Sequence, residues 1–246
     1  MTNAPRSRDR LDRLVVERGL AESREKAQAL IMAGEVLVDG RKAQKPGEAV
    51  SSTSQIEVLT RPRFVGRGGL KLQGALEQFR IDPTGRICLD VGASTGGFTD
   101  CLLQNGALRV HAVDVGHGQF DWKLRNDPRV VVYENLNARH LTQEQIGESV
   151  DLAVCDVSFI SVTLILPAIV PLLNPGGEMI VLVKPQFEAG REQVGKGGII
   201  RDPAVQQAAC DRVAAAAAEL GFATAIIESP ILGAEGNREF LLHARR

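Results

Sequence analysis

A chain of 246 residues, 44% of them hydrophobic, is long enough for one large domain or for a medium domain with a small partner. It contains no run of about 18 apolar residues, and its start, Met-Thr-Asn-Ala-Pro-Arg-Ser-Arg-Asp-Arg, has no signal-type apolar stretch, so a cytoplasmic protein without a membrane span is expected. The net charge of -1 hides an asymmetry: residues 1–67 hold 13 lysines and arginines against 9 acids (net +4), and residues 68–246 hold 16 against 21 (net -5). The amino-terminal part is therefore the expected polyanion binder.

From Asp9 to Ala33 the apolar positions Leu11, Leu14 and Val15, then Ala27, Leu30 and Ile31, recur at three- and four-residue steps, which predicts two amphipathic helices. Gly19 and Ser23 punctuate them as stop and N-cap. Glu35-Val36-Leu37-Val38-Asp39-Gly40-Arg41-Lys42 reads as a strand entering an Asp-Gly hairpin turn, and residues 55–59 as a second strand. This helix-helix-hairpin layout over residues 1–60 resembles the S-four-type (alpha-L) RNA-binding domain. Arg10, Arg13, Arg24, Lys26, Arg41 and Lys42 put cations on its helices and hairpin tip, where they can follow a phosphate backbone. A solvated charged face would have the same composition. The segment lacks an aromatic stacking platform, so shape and phosphate contacts are expected rather than readout of unstacked bases.

Residues 61–69, within the Pro- and Gly-containing basic stretch TRPRFVGRGG, read as a linker, with Arg67 a further RNA contact. Residues 70–246 alternate helical runs with strands near 86–91, 108–114, 129–133, 151–156, 177–183, 222–228 and 238–243. Such alternation predicts an α/β fold, Rossmann-like, with a mostly parallel seven-stranded sheet covered on both faces. Ligands then lie beyond the carboxyl ends of the strands.

One of those ends carries Asp90-Val91-Gly92-Ala93-Ser94-Thr95-Gly96-Gly97-Phe98, between a strand and a helix. Glycines at such a turn let backbone approach a ligand and leave helix N-terminal amides free to donate. Asp114 closes the next strand about 20 residues on, where a carboxylate can accept from a ribose hydroxyl. The dinucleotide spacing G-x-G-x-x-G is not met. Asp-x-Gly-x-x-x-Gly-Gly-Phe instead resembles the first motif of S-adenosylmethionine-dependent methyltransferases, which implies that Asp90, Gly92, Ser94, Gly96, Gly97 and Phe98 hold the amino-acid end of that cofactor.

Three ionisable residues stand at or near strand ends: Asp156, Lys184, and Glu239 within the last strand. Such groups are costly to bury without partners. Lys71 begins a helix that can lean over the same edge. With these the chain is similar to the TlyA (hemolysin A) family over nearly its whole length, through Gly66-Arg67-Gly68-Gly69-x-Lys71-Leu72, the 90–99 turn, Asp156-Val157-Ser158-Phe159-Ile160-Ser161, Val183-Lys184-Pro185-Gln186-Phe187-Glu188 and Gly236-Asn237-Arg238-Glu239. That family joins an S-four-type domain to an FtsJ-like RNA ribose 2'-O-methyltransferase. The resemblance implies a Lys-Asp-Lys-Glu catalytic set at Lys71, Asp156, Lys184 and Glu239, with Asp114 at the cofactor ribose and Asn137 by the adenine. It implies S-adenosylmethionine as cofactor, no metal, and as substrate a cytidine of ribosomal RNA or ribosomal subunits.

The chemistry explains the set. A ribose 2'-hydroxyl is a poor nucleophile and must lose its proton while attacking the sulfonium methyl in line. Lys184, flanked by Asp156 and Glu239, can stabilise the forming alkoxide as an ammonium, or accept the proton. Asp-Val-Ser-Phe after the fourth strand is not the Asn/Asp-Pro-Pro-Tyr of amino methylation. The loop from Pro185 to Pro203 reads as a mobile lid, with Arg191 and Lys196 as phosphate contacts. Cys88, Cys101, Cys155 and Cys210 lack metal-ligand spacing and read as small buried hydrophobes. Two rivals stand: a membrane-active cytolysin, as the family name records, and a non-catalytic RNA-binding assembly factor. The alanine-rich Ala204–Leu220 helix is expected to pack on the sheet. The end of the chain at Arg246 suggests the shorter kind of family member, with a single target site.

Overall fold

Alternating apolar patterns bury separate cores in two units that divide between residues 62 and 63. The structure, a computed structural model, describes residues 8–59, 63–233 and 235–246, with the Arg191 side chain left aside.

In the amino-terminal unit, β1 (Arg8–Arg10), α1 (Leu11–Glu17), α2 (Arg24–Met32), β2 (Val36–Val38), β3 (Arg41–Lys42), β4 (Ala49–Ser51) and β5 (Ile56–Val58) follow in order. The two helices bury Leu11, Leu14, Val15, Ala27 and Ile31 against Val36, Val50 and Ile56. Ser23 caps α2 by accepting from the Lys26 amide. Asp39 and Gly40 both take positive φ in the two-residue turn joining β2 to β3, the conformation that a tight hairpin needs. β2 lies between β3 and β5, and β1 pairs with β4, a short pairing the sequence pattern did not indicate.

The larger unit runs α3 (Gly68–Phe79), β6 (Ile87–Val91), α4 (Gly97–Gln104), β7 (Arg109–Val113), α5 (Trp122–Arg125), β8 (Val130–Tyr133), α6 (Gln143–Ile146), β9 (Val150–Cys155), α7 (Leu166–Ile169), β10 (Leu173–Val183), α8 (Pro185–Glu188), α9 (Pro203–Glu219), β11 (Ala223–Glu228) and β12 (Phe240–Arg245). These strands form one sheet in the order β11-β12-β10-β9-β6-β7-β8. Neighbours among β8, β7, β6, β9 and β10 are parallel; β12 runs antiparallel to β10 and β11. Strand residues alternate between two apolar clusters: Leu89, Val91, Ala153 and Val181 pack with α7 and α9, whereas Cys88, Leu152, Val154 and Ile180 pack with α3 and α4. Such two-faced burial is what makes the central strands continuous apolar runs. The strand order reverses between β6 and β9, which opens a crevice at their carboxyl ends.

Two expectations change here. Residues 60–62 lie outside the described residues, but from Arg63 onward the expected linker is part of the larger unit: Phe64 is buried, and a Cβ on Gly69 would fall 2.3 Å from its ring. Glu239 precedes β12 rather than lying within it. Because β12 is antiparallel and pairs Phe240 with Val183, its beginning sits at the same sheet edge as the end of β10, which delivers Glu239 beside Lys184 in the register.

Candidate active site

The 90–98 turn closes on neighbouring strands through glycine. Gly92 has φ +85°, and a Cβ there would lie 2.6 Å from the Asp156 carbonyl oxygen, so only glycine lets β6 and the chain after β9 meet. Gly97 and the Gly66–Gly69 loop touch backbone to backbone, a Cβ on Gly97 meeting the Gly69 amide nitrogen at 3.1 Å. Gly96 has a packing role as well. Its φ is +95° and its missing Cβ leaves room for Leu124 and Phe120 of the α5 region, so it serves packing beneath the turn. Phe98 is buried and borders the site.

Asp90 lies near the end of β6. It is fully buried, accepting from the Thr99 hydroxyl (2.6 Å) through Oδ2 while Oδ1 has no hydrogen-bond partner. Burial, with the nearby Asp156 and Asp114 charges, pushes its carboxyl up to about 7. A carboxyl whose folded value is raised stabilises the fold while protonated and loses that contribution as pH rises from about 4 to about 7. Asp90→Asn should therefore melt above wild type at pH 8, by roughly 3–10 °C, with the difference shrinking toward pH 5. Thermal melts at the two pH values check this, and equal differences at both would contradict it.

Beyond the turn lies a cavity of about 450 Å³ lined by Gly92, Ser94, Asp114, Asn137, Asp156 and Phe159 among others. Asp114 accepts from the Ser94 amide (2.7 Å) and the Gly116 amide (2.6 Å), which fixes the carboxylate on the cavity wall with lone pairs to spare. Asn137 uses its Oδ1 to cap the turn at Arg139. A smaller cavity, about 170 Å³, adjoins it through shared residues and is lined by Gly68, Thr95, Phe98, Asp156, Ser158 and Lys184. A nucleoside-sized space with a strand-end carboxylate on its wall fits an adenosine-bearing cofactor.

The four ionisable residues form two pairs, of which Asp156 and Lys184 line the smaller cavity. Lys184 Nζ lies 2.6 Å from Asp156 Oδ1 and donates to Ser158 Oγ at 2.8 Å. Lys71 Nζ donates to Glu239 Oε2 at 2.5 Å. Lys184 and Lys71 are each 8% exposed and Glu239 3%, so neither pair is a screened surface contact. Lys184 is thus matched to Asp156, and Glu239 answers Lys71 instead of flanking Lys184. The Lys184–Asp156 contact has ion-pair distance without hydrogen-bond alignment at Oδ1, which leaves that buried oxygen with unused acceptor capacity.

Three contributors carried no role assigned from the sequence. Ser158 orients Lys184. Glu188 accepts from Ser161 Oγ (2.5 Å) and the Val162 amide (2.8 Å), tying α8 to the loop that carries Ser158. Phe159 is 92% exposed with φ +65°, its ring 5.3 Å from that of Phe187. An aromatic residue in a polar loop just after a strand-end acid was the available signal.

The cations assigned to RNA divide. Arg10 and Arg24 both bond the buried Asp12, whose carboxyl Arg10 foremost holds well below the usual carboxylate range. Both guanidiniums stay half exposed. Arg13 pairs with Glu17 and Asp9, and Lys26 with Glu22. Arg41 and Lys42 are exposed. Arg67 belongs to the larger unit, donating to the Leu232 carbonyl. The expected mobile lid is held in place over its second half: Ile200 is buried and Asn237 binds the backbone on both sides of Ile199. The four cysteines are buried and free, with burial pushing the thiols of Cys88 and Cys101 up to about 12. Among the described residues no helix is long and apolar enough to cross a membrane, and α9 packs Ala209, Cys210, Val213 and Ala217 inward.

Comparison with known proteins matches residues 64–246 to the FtsJ-like methyltransferase family and residues 9–56 to the S4 domain. The 16S/23S rRNA (cytidine-2'-O)-methyltransferase TlyA of Mycobacterium tuberculosis (strain ATCC 25618 / H37Rv) is 51% identical over 241 residues, covering 97% of this chain and 90% of that protein. Hemolysin A of Brachyspira hyodysenteriae is 46% identical, covering 95% and 98%. A solved structure assigned as a hemolysin, from Streptococcus thermophilus, superposes with a TM-score of 0.74 at 44% identity, covering 98% of this chain and 89% of that one.

Proposed function

The chain belongs to the FtsJ-like methyltransferase family, and from that premise we propose that it transfers the methyl group of S-adenosylmethionine to a ribose 2'-hydroxyl of a cytidine in ribosomal RNA. The observation that carries the reading is the pairing of Lys184 with Asp156, which lines the nucleoside-sized cavity, together with the buried Lys71–Glu239 pair. The ribosomal substrate is suggested by the 51% identical relative, which bears that activity in its name.

Asp114 would hold the cofactor ribose and the 92–97 backbone its amino-acid end, with Asn137 near the adenine. Bound there, the cofactor supplies an electrophilic methyl. The rest falls to side chains. Lys184, oriented by Ser158 and paired to Asp156, directs an N–H at the 2'-oxygen, and the Lys184–Asp156 pair takes up the hydroxyl proton and balances the growing negative charge as one unit. Lys71, held by Glu239, stands as a second cation for the hydroxyl or an adjacent phosphate. Phe159 offers an exposed ring on which the base can stack. The amino-terminal unit, with the S4 domain, docks the RNA.

The test is transfer of labelled methyl from S-adenosylmethionine to ribosomal RNA or isolated subunits, with alkaline-resistance mapping of the product. A 2'-O-methylcytidine is the expected signal. Label on a base, or none in any ribosomal substrate, would overturn the reading.

A further inference from the structure

Asn237 is 2% exposed, and its side-chain amide is used at both ends. Its Oδ1 accepts from the Ile200 amide and its Nδ2 donates to the Gly198 carbonyl, each at 2.9 Å. Both partners lie in the glycine-rich loop that displays Lys196 and Arg201 to solvent. The Asn237 carbonyl also accepts from the Gly233 amide (2.9 Å), closing the turn that ends at Glu239. That turn fits closely around the carboxylate: a Cβ on Gly233 would stand 2.5 Å from Glu239 Oε1. From Glu239 the chain of contacts continues to Lys71 Nζ.

One buried amide therefore joins a cationic loop to one of the two ion pairs. Opening the loop away from the turn strands a donor and an acceptor out of water, which costs the full desolvation of each, so loop and turn hold their arrangement together. Gln206, 5% exposed, grips the same loop from α9 by donating to the Ile200 carbonyl (2.9 Å), and among the described residues no hydrogen bond of its side chain reaches the turn. We propose that Asn237 is a positioning residue that couples the seating of RNA phosphates on the glycine-rich loop to the placement of the Lys71–Glu239 pair. The proposal rests on the reaction assigned above. Energetic coupling of this kind travels through contiguous hydrogen-bond networks with rigid ends.

The experiment uses the full chain with Gln206→Ala, which loosens the loop alone, and Asn237→Ala, which cuts the link. Amide hydrogen exchange is followed at residues 195–201 and 233–239, beside cofactor affinity by calorimetry and single-turnover transfer to ribosomal RNA. Coupling predicts that Gln206→Ala speeds exchange in the loop and in the turn together and slows transfer about tenfold, with cofactor affinity unchanged. Asn237→Ala should slow transfer at least as much. Exchange that rises in the loop of Gln206→Ala while the turn stays protected overturns the proposal, as does transfer within about twofold of wild type in that variant. If Asn237→Ala does not fold, Gln206→Ala decides by itself. If the wild type transfers nothing to ribosomal RNA, the reaction is what fails, and the exchange result still decides the coupling.

Discussion

Replacing Lys184 with methionine should slow single-turnover methyl transfer to ribosomal RNA by roughly 10²- to 10³-fold, the usual loss on removing one preorganised electrostatic contact. Methionine keeps the apolar stem that packs after β10 and removes the ammonium. It leaves Ser158 Oγ without its donor and Asp156 without its paired cation, at the edge of the smaller cavity. The cofactor contacts assigned to Asp114 and the 92–97 backbone do not use that nitrogen, so affinity for S-adenosylmethionine should change little. Calorimetric titration and a rapid-quench transfer assay separate the two effects. A folded Lys184→Met protein that transfers within about threefold of wild type, far short of that expected loss, would remove Lys184 from the chemistry and with it the ribose-hydroxyl mechanism drawn here.

Removing residues 1–62 should cost about 10²-fold or more in affinity for ribosomal RNA near 0.1 M salt and flatten the salt dependence, by about 0.9 in the logarithmic slope for each phosphate that the truncated protein no longer neutralises. The larger unit has its own cores, which share no residue with the core of the small unit, so the remainder should fold and bind cofactor. The effect is expected to concentrate at Arg41 and Lys42, which are exposed in β3, and at Arg10 and Arg24, whose guanidiniums are fixed by Asp12 yet remain half accessible. Arg13 and Lys26 are engaged with acids on their own helices and should contribute less. Filter binding across a salt series measures both quantities. Equal affinity and equal slope in the truncated protein would place RNA docking on the larger unit.

Local pattern sufficed wherever structure follows from short-range physics. The alternation of apolar runs with helical periods marked every strand of the seven-stranded sheet within a few residues, most plainly the central parallel strands, which are apolar because both faces are buried. The Asp39-Gly40 turn and the Ser23 cap were readable for the same reason: each depends on one or two residues and their own backbone. The sequence also held the four residues of the candidate site, recognisable together through family motifs.

Only the tertiary structure decided how they pair. Nothing within reach of Glu239 in the chain says that β12 runs antiparallel beside β10, and it is that reversal which brings the beginning of one strand to the edge where the others end. Lys71 meets Glu239 across 168 residues and Lys184 meets Ser158 across 26, separations at which no periodicity carries information. The packing contacts of Gly96 and Asp90 lay out of reach for a related reason. A glycine or a carboxylate in a turn can serve either a ligand or the packing beneath it, and the distinction rests on atoms such as Leu124 Cδ1 and Thr99 Oγ that only the folded chain brings close.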